Sequence, residues 1–339
     1  MSVRIEWLDS LKGLAIILVV WGHLNIPIEA ETIIYSFHMP LFFFISGYLF
    51  KQNNRTLKQY VQRKVNSLLI PYFFFAVMSI PFGILLDFVY QNEINPLLMF
   101  MHFFFLSGSV GWNAPLWFLI VLFLIEVIYF VVNSSKINNG LFIILSFVLG
   151  YALALSGMRY PLGLHLISWG LVFYYLGNVA RERLVIEKMA TTIAKTLIFL
   201  IPLAIINIVF GLMMNVKVSM YVNQLGNYLY FYIAAIAGIL FMCCLMSKLP
   251  SFKILNFFGN NTLLVLATHY GALYVYKLID QPVFGHAFMD DNSYFISILL
   301  TVVTLIVSVP LAHFVNKYLP FVVGKGHNSK LKMSQNAGG

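Results

Sequence analysis

The chain has 339 residues, of which 60% are hydrophobic and only 10% are charged, and its mean hydropathy is +0.86. Soluble domains carry about 25% charged residues, so composition excludes a soluble globular protein and predicts a polytopic membrane protein. The net charge of +9 would fit a nucleic-acid binder, but the distribution of the charges along the chain argues against one.

Ten apolar stretches, each roughly 16–23 residues long, have the length needed to cross about 30 Å of hydrocarbon. They lie at approximately 7–25, 32–50, 67–87, 115–133, 140–157, 165–180, 195–215, 227–247, 255–277 and 294–315. The first is not a cleaved signal, because it carries Asp9 and Lys12 near its start and no small-x-small cleavage site precedes the next span. With the N-terminus in the cytoplasm, all but three of the 21 Lys and Arg residues fall on the cytoplasmic side, the exceptions being Arg159, Lys217 and Lys277. Acidic residues lean outward, as Glu29, Glu31, Asp87, Glu93, Asp280, Asp290 and Asp291 show. This asymmetry satisfies the positive-inside rule with both termini cytoplasmic. The basic excess is therefore a matter of topology and contact with membrane lipids, with no nucleic acid implied. The expected fold is an all-α membrane bundle of about ten transmembrane helices.

Residues 96–107 are apolar but short for a span, and a crossing there would place the basic loop at 181–195 outside; a re-entrant segment on the outer side is expected. The adjacent Cys243 and Cys244 suit neither a disulfide nor a metal site and read as packing residues. No metal-ligand spacing, internal repeat or low-complexity tract is present. The membrane domain is expected over 1–320, with 321–339 a polar, disordered cytoplasmic tail.

The first two helices carry the chemical signal. His23 lies eleven residues beyond Lys12, roughly 16 Å along a helix towards the outer face. His38 lies about two turns inside the second span, so both imidazoles reach similar depths. A polar group without partners is costly in hydrocarbon. A lone histidine there is more often an interhelical hydrogen bond than a functional group. Two histidines on consecutive helices, with a basic residue below one of them, favour function. Gly47, nine residues after His38, allows close helix contact.

These residues resemble a known family. Lys12 and His23 stand at the spacing of the Arg/Lys-x10-His motif of the acyltransferase-three family of integral-membrane O-acyltransferases. Trp7-Leu8-Asp9-Ser10-Leu11-Lys12-Gly13 is similar to that family's opening, and Ser36 to Tyr48 to its second-helix signature. Leu116-Trp117-Phe118-Leu119 resembles its mid-chain motif, and Phe258-Gly259-Asn260-Asn261-Thr262 through His269 its late helix. Within the family the chain looks most like the fucose 4-O-acetylase-like branch. It departs where the family often has Arg-x-x-Arg before the third span: Arg63-Lys64 is followed by Val65, Asn66 and Ser67.

The resemblance implies transfer of an acyl group, usually acetyl from acetyl-CoA, to a hydroxyl of a cell-surface or lipid-linked sugar or polysaccharide. The protein would sit in a bacterial cytoplasmic membrane and hold no permanent cofactor. His23 is then the general base or a transiently acylated nucleophile, and His38 orients it, binds the acceptor or stabilises the oxyanion. Lys12, Arg63 and Lys64 are candidate donor-binding residues on the cytoplasmic side, where coenzyme A is made; lipid contact and snorkelling compete with that role. Trp117, Arg159 and His269 are candidate acceptor contacts. An interfacial-belt role competes for Trp117, and surface ion pairing for Arg159. Glu126, within the fourth span, requires a basic partner. Among other classes, a transporter or exporter of glycan intermediates would favour inverted repeats, which the chain lacks.

Overall fold

The computed structural model describes residues 5–52, 55–89, 101, 112–135, 137–284 and 292–325. They form an all-helical bundle whose only β pairing, among the described residues, is an isolated bridge between Ser219 and Gln224. The main helices are α1 (Glu6–Gly22), α2 (Ile28–Tyr48), α3 (Leu57–Val89), α4 (Trp117–Ser134) and α5 (Asn139–Leu155). They continue with α6 (Leu164–Glu182), α7 (Ile193–Ile208), α8 (Tyr228–Lys248), α9 (Thr262–Phe284) and α10 (Tyr294–Tyr318). Among the described residues, 8 helical stretches are long and apolar enough to cross a membrane. The 17-residue helices α1 and α5 are shorter and occupy the first and fifth expected spans.

Several boundaries move from where hydropathy placed them, for local reasons. Helix α2 starts at Ile28 rather than near residue 32, because Pro27 sits at its N-cap and Glu29 and Glu31 in its first turn favour the positive end of the helix dipole. His38 therefore lies ten residues, about 15 Å, into the helix instead of two turns. Helix α3 starts ten residues early, at Leu57, on a capping box formed by Thr56 and Gln59. It passes through a π-turn at Val65–Leu69 just before Pro71, a residue that can donate no backbone hydrogen bond. The ninth expected span is broken: a short helix, Lys253–Asn260, ends at Asn261 before α9 begins. Residues Pro320–Val323 form a 3-10 turn with Val322 buried, and the expected re-entrant segment 96–107 lies, except for Met101, outside the described residues.

Two close crossings hold the bundle core. A Cβ on Gly13 would come within 1.9 Å of the Leu255 carbonyl oxygen, and one on Gly259 within 1.9 Å of the Asp9 carbonyl oxygen. Likewise a Cβ on Gly47 would stand 1.8 Å from the Tyr174 oxygen, and one on Gly177 2.0 Å from the Phe44 oxygen. Only glycine permits such backbone-to-backbone contact, which supplies the dispersion energy that joins helices where solvent offers no hydrophobic drive. Around this core, α4 and α6 are largely buried, whereas α5, α7 and α10 turn residues such as Leu149, Ile198 and Ile306 outward. In a multi-pass bundle those faces meet lipid.

Candidate active site

His23 is the residue at which α1 ends. Its Nδ1–H donates to the Val19 carbonyl at 2.7 Å. His38, buried in the middle of α2, donates in the same way to Ile34 at 2.8 Å, and His269 in α9 to Val265 at 2.9 Å. A carbonyl can only accept, so in each neutral ring the proton resides on Nδ1 and Nε2 keeps its lone pair. Three imidazoles on adjoining helices thus each keep an acceptor nitrogen at Nε2.

The structure brings His23 and His269 together, with ring centroids 5.1 Å apart. His38 joins through Tyr35: its ring lies 4.8 Å from Tyr35, and Tyr35 lies 6.3 Å from His23. Tyr35 also donates from its hydroxyl to the Gly22 carbonyl at 3.0 Å, tying the end of α1 to α2. Tyr270 packs edge-on against His23 at 5.1 Å. His23 and His38 both line a cavity of about 160 Å³ whose other walls include Tyr35, Trp117, Tyr221 and Tyr270. Residues 218–221, in the loop between α7 and α8, close one side of it.

Of the acceptor candidates, Trp117 lines this cavity and stacks on Tyr221 with centroids 6.4 Å apart. The Arg159 guanidinium lies 5.8 Å from the centre of the same Tyr221 ring, one residue removed from the cavity wall. His269 is in the wall of a different space, an apolar groove of about 450 Å³ between α3, α9 and α10. Its Nε2 is buried with no hydrogen-bond partner among the described residues. Tyr270 belongs to both walls, so the cavity and the groove adjoin at this residue.

The donor candidates sit elsewhere. Lys12 pairs with Asp9, one turn away on α1, at 2.7 Å. Lys64 is turned inward to Glu126 at 2.6 Å, and this pair supplies the basic partner that Glu126 needs within α4. Arg63 is exposed and forms no ion pair among the described residues. Only Arg63 of the three therefore has its charge uncommitted.

The family model for the acyltransferase domain matches residues 5–313. The chain belongs to the acyltransferase-three family. It is accordingly a multi-pass membrane acyltransferase, and the two-histidine cavity lies inside the matched span. No match was found among curated proteins or among solved structures.

Within this acyltransferase, several groups around the site were not singled out by sequence. Tyr35 carried a usable signal, since it stands three residues before His38 and so on the same helix face. Tyr270 follows His269 directly. Tyr221 and the ion pair of Lys217 with Glu31, whose Nζ stands 5.1 Å from the Tyr35 ring centre, come from segments distant in sequence. Asn113 was also missed; its side-chain amide donates to Ser79 at 2.9 Å and to the Ala267 carbonyl at 2.8 Å, joining α3 and α9 beside His269.

Proposed function

We propose that this acyltransferase moves an acetyl group from cytoplasmic acetyl-CoA to a hydroxyl of a cell-surface or lipid-linked sugar or polysaccharide, with His23 as general base. The observation that carries the reading is the locked His23 tautomer beside the cavity: the Nδ1–H is committed to Val19, and Nε2 remains the ring's acceptor. As the sugar oxygen attacks the thioester carbon, Nε2 takes the hydroxyl proton. A C–O bond forms, the C–S bond breaks, and the imidazolium returns its proton to the departing thiolate. Such proton transfer contributes about 10²–10⁴-fold.

His38 has the same tautomer and so accepts rather than donates when neutral. Its role is to accept a second hydroxyl of the acceptor, which fits a polyhydroxylated substrate better than a simple alcohol. Trp117 and Tyr221 offer stacked aromatic surface for a sugar face, with Arg159 behind Tyr221. On the donor side, Arg63 attracts the phosphates, with Lys12 and Lys64 adding field from their paired positions. The groove leading from Leu319 to His269 offers the donor's arm a route between α9 and α10.

The test is to supply the purified protein in nanodiscs with acetyl-labelled acetyl-CoA and fractionated envelope glycans. Alkali-labile label on a glycan is expected. Glycan passage across sealed vesicles without any label transfer would contradict the reading and favour a transporter.

A further inference from the structure

A second opening lies beyond the loop that walls the histidine cavity. It is a crevice of about 590 Å³ between the ends of α5 and α8, lined by Phe147, Tyr151, Asn223, Gln224, Asn227 and Tyr228 among others. The loop is rigidly built. Ser219 and Gln224 exchange backbone hydrogen bonds at 2.6 and 3.0 Å, and the Asn215 side chain bonds the Leu225 carbonyl at 3.0 Å and the Asn227 amide at 2.8 Å. One wall of this loop, Val218 to Tyr221, faces the cavity, and Asn223 onwards faces the crevice. Only Val222 separates Tyr221 from Asn223, at most about 7 Å of chain.

Beside the exposed aliphatic side chains of Val148, Leu155 and Leu229, the crevice carries an aromatic and amide set that suits a sugar. Tyr151 is 48% exposed and stands 5.4 Å from Tyr228, which packs in turn at 5.0 Å on Phe147. These rings form an aromatic corner with one open face. Asn223 is only 8% exposed, and its backbone sits in the left-handed region at φ 58°. Both protons of its amide are spent on the carbonyls of Leu153 and Met158, at 3.0 and 2.7 Å. Its Oδ1 is buried with no donor among the described residues. A buried acceptor without a donor is costly, and a hydroxyl supplies one. The Gln224 side chain, exposed beside it, makes no hydrogen bond among the described residues and can both donate and accept. A hydrocarbon chain would satisfy neither amide.

We propose that this crevice is a second glycan-binding subsite, so that the acceptor is a chain of linked sugars laid across the 218–229 loop, one unit presented to His23 and its neighbours held by Tyr151, Asn223 and Gln224. The proposal rests on the glycan-acceptor reading given above and narrows it: the enzyme acts on an oligomer or polymer rather than on a free monosaccharide.

The experiment starts from the glycan that loses its acetyl groups in cells lacking the protein. That glycan is de-acetylated with mild alkali, cut into size-graded fragments and offered with labelled acetyl-CoA to the full-length protein in nanodiscs. The KM should fall at least tenfold between a single sugar and fragments long enough to reach the crevice, with kcat little changed. Tyr151→Ala and, separately, Gln224→Ala should raise the KM of long fragments about tenfold and leave the shortest acceptor unaffected. A KM independent of length, or variants that slow every fragment equally, overturns the subsite while leaving acetyl transfer intact. An effect of the variants that follows the lipid composition of the nanodisc assigns the crevice to lipid headgroups and also overturns it. If no glycan loses acetyl groups in cells lacking the protein, the glycan-acceptor reading and the subsite fall together.

Discussion

The two ends of α1 and α2 are built on opposite terms. Towards Lys12 and Tyr48, each helix meets its neighbour backbone to backbone, through Gly13 with Gly259 and Gly47 with Gly177. At the other end the helices part around His23, Tyr35 and His38, and side chains rather than backbones line the space between them. The first arrangement tolerates no added atom, whereas the second leaves a cavity. The contrast explains how a bundle with few polar groups can aim an imidazole. Gly13 is ten residues, about 15 Å, below His23, so a tilt of about 5° at the clamp would move the ring by about 1.3 Å. A misplacement of about 1 Å can cost about 10²-fold in rate.

Changes that touch no catalytic group should therefore be severely damaging. Gly13→Ala drives a Cβ into the Leu255 carbonyl. It should lower kcat by about 10²-fold and cost about 1–3 kcal/mol of stability. Thermal unfolding in detergent, measured alongside transfer, checks both; full activity would show that the clamp does not set the site. Gly47→Leu, with more atoms against Tyr174, should leave little folded protein, as size-exclusion profiles would report.

A second break separates structural charge from donor charge. Lys64 and the buried Glu126 form an ion pair. Removing one partner of a buried pair costs about 3–5 kcal/mol, while replacing both with apolar residues of similar size is often neutral. Lys64→Met should destabilise strongly, and adding Glu126→Leu should restore the unfolding temperature. If the donor KM stays raised in the restored double variant, Lys64 also contacts the donor; a normal KM leaves it structural.

A smaller effect is expected at Arg63, which is exposed and forms no ion pair among the described residues. Arg63→Glu should raise the KM for acetyl-CoA several-fold with kcat nearly unchanged, because a contact to remote phosphates binds ground and transition states alike. An unchanged KM would leave this loop a topology signal. The mildest test alters activity least. Met158→Cys, in the exposed loop before α6, should react with a membrane-impermeant maleimide from outside, and Lys58→Cys only after permeabilisation. The reverse pattern would invert the bundle.

Much of this molecule was legible in its residues, and the gaps have physical causes. The hydropathy pattern located the spans because lipid demands long apolar helices. Boundaries slipped where local chemistry overrode hydropathy: Pro27 and two glutamates began α2 early, and Asn261 split the ninth span. The histidine pair was readable because buried imidazoles are costly without a purpose. The meeting of His23 with His269 was not, since it depends on how the Gly13–Gly259 crossing registers two helices far apart in sequence. The loop at 218–227 was equally hidden, because a wall formed by tertiary packing leaves no periodic trace. Lys64 shows the opposite failing: a basic residue in a basic loop reads as a donor or lipid contact, and only the fold turns it towards Glu126.

The central claim is that His23 performs chemistry rather than holding helices together. The direct measurement compares wild type and His23→Ala for acetyl transfer to the native glycan, at matched protein levels, with unfolding temperature recorded on the same samples. A lost general base predicts a fall of about 10²-fold or more in kcat with the fold retained. A purely structural hydrogen bond predicts near-normal transfer from a protein weakened by about 0.6–2 kcal/mol. An inactive but stable variant is the expected result, and an active, less stable one would contradict the account.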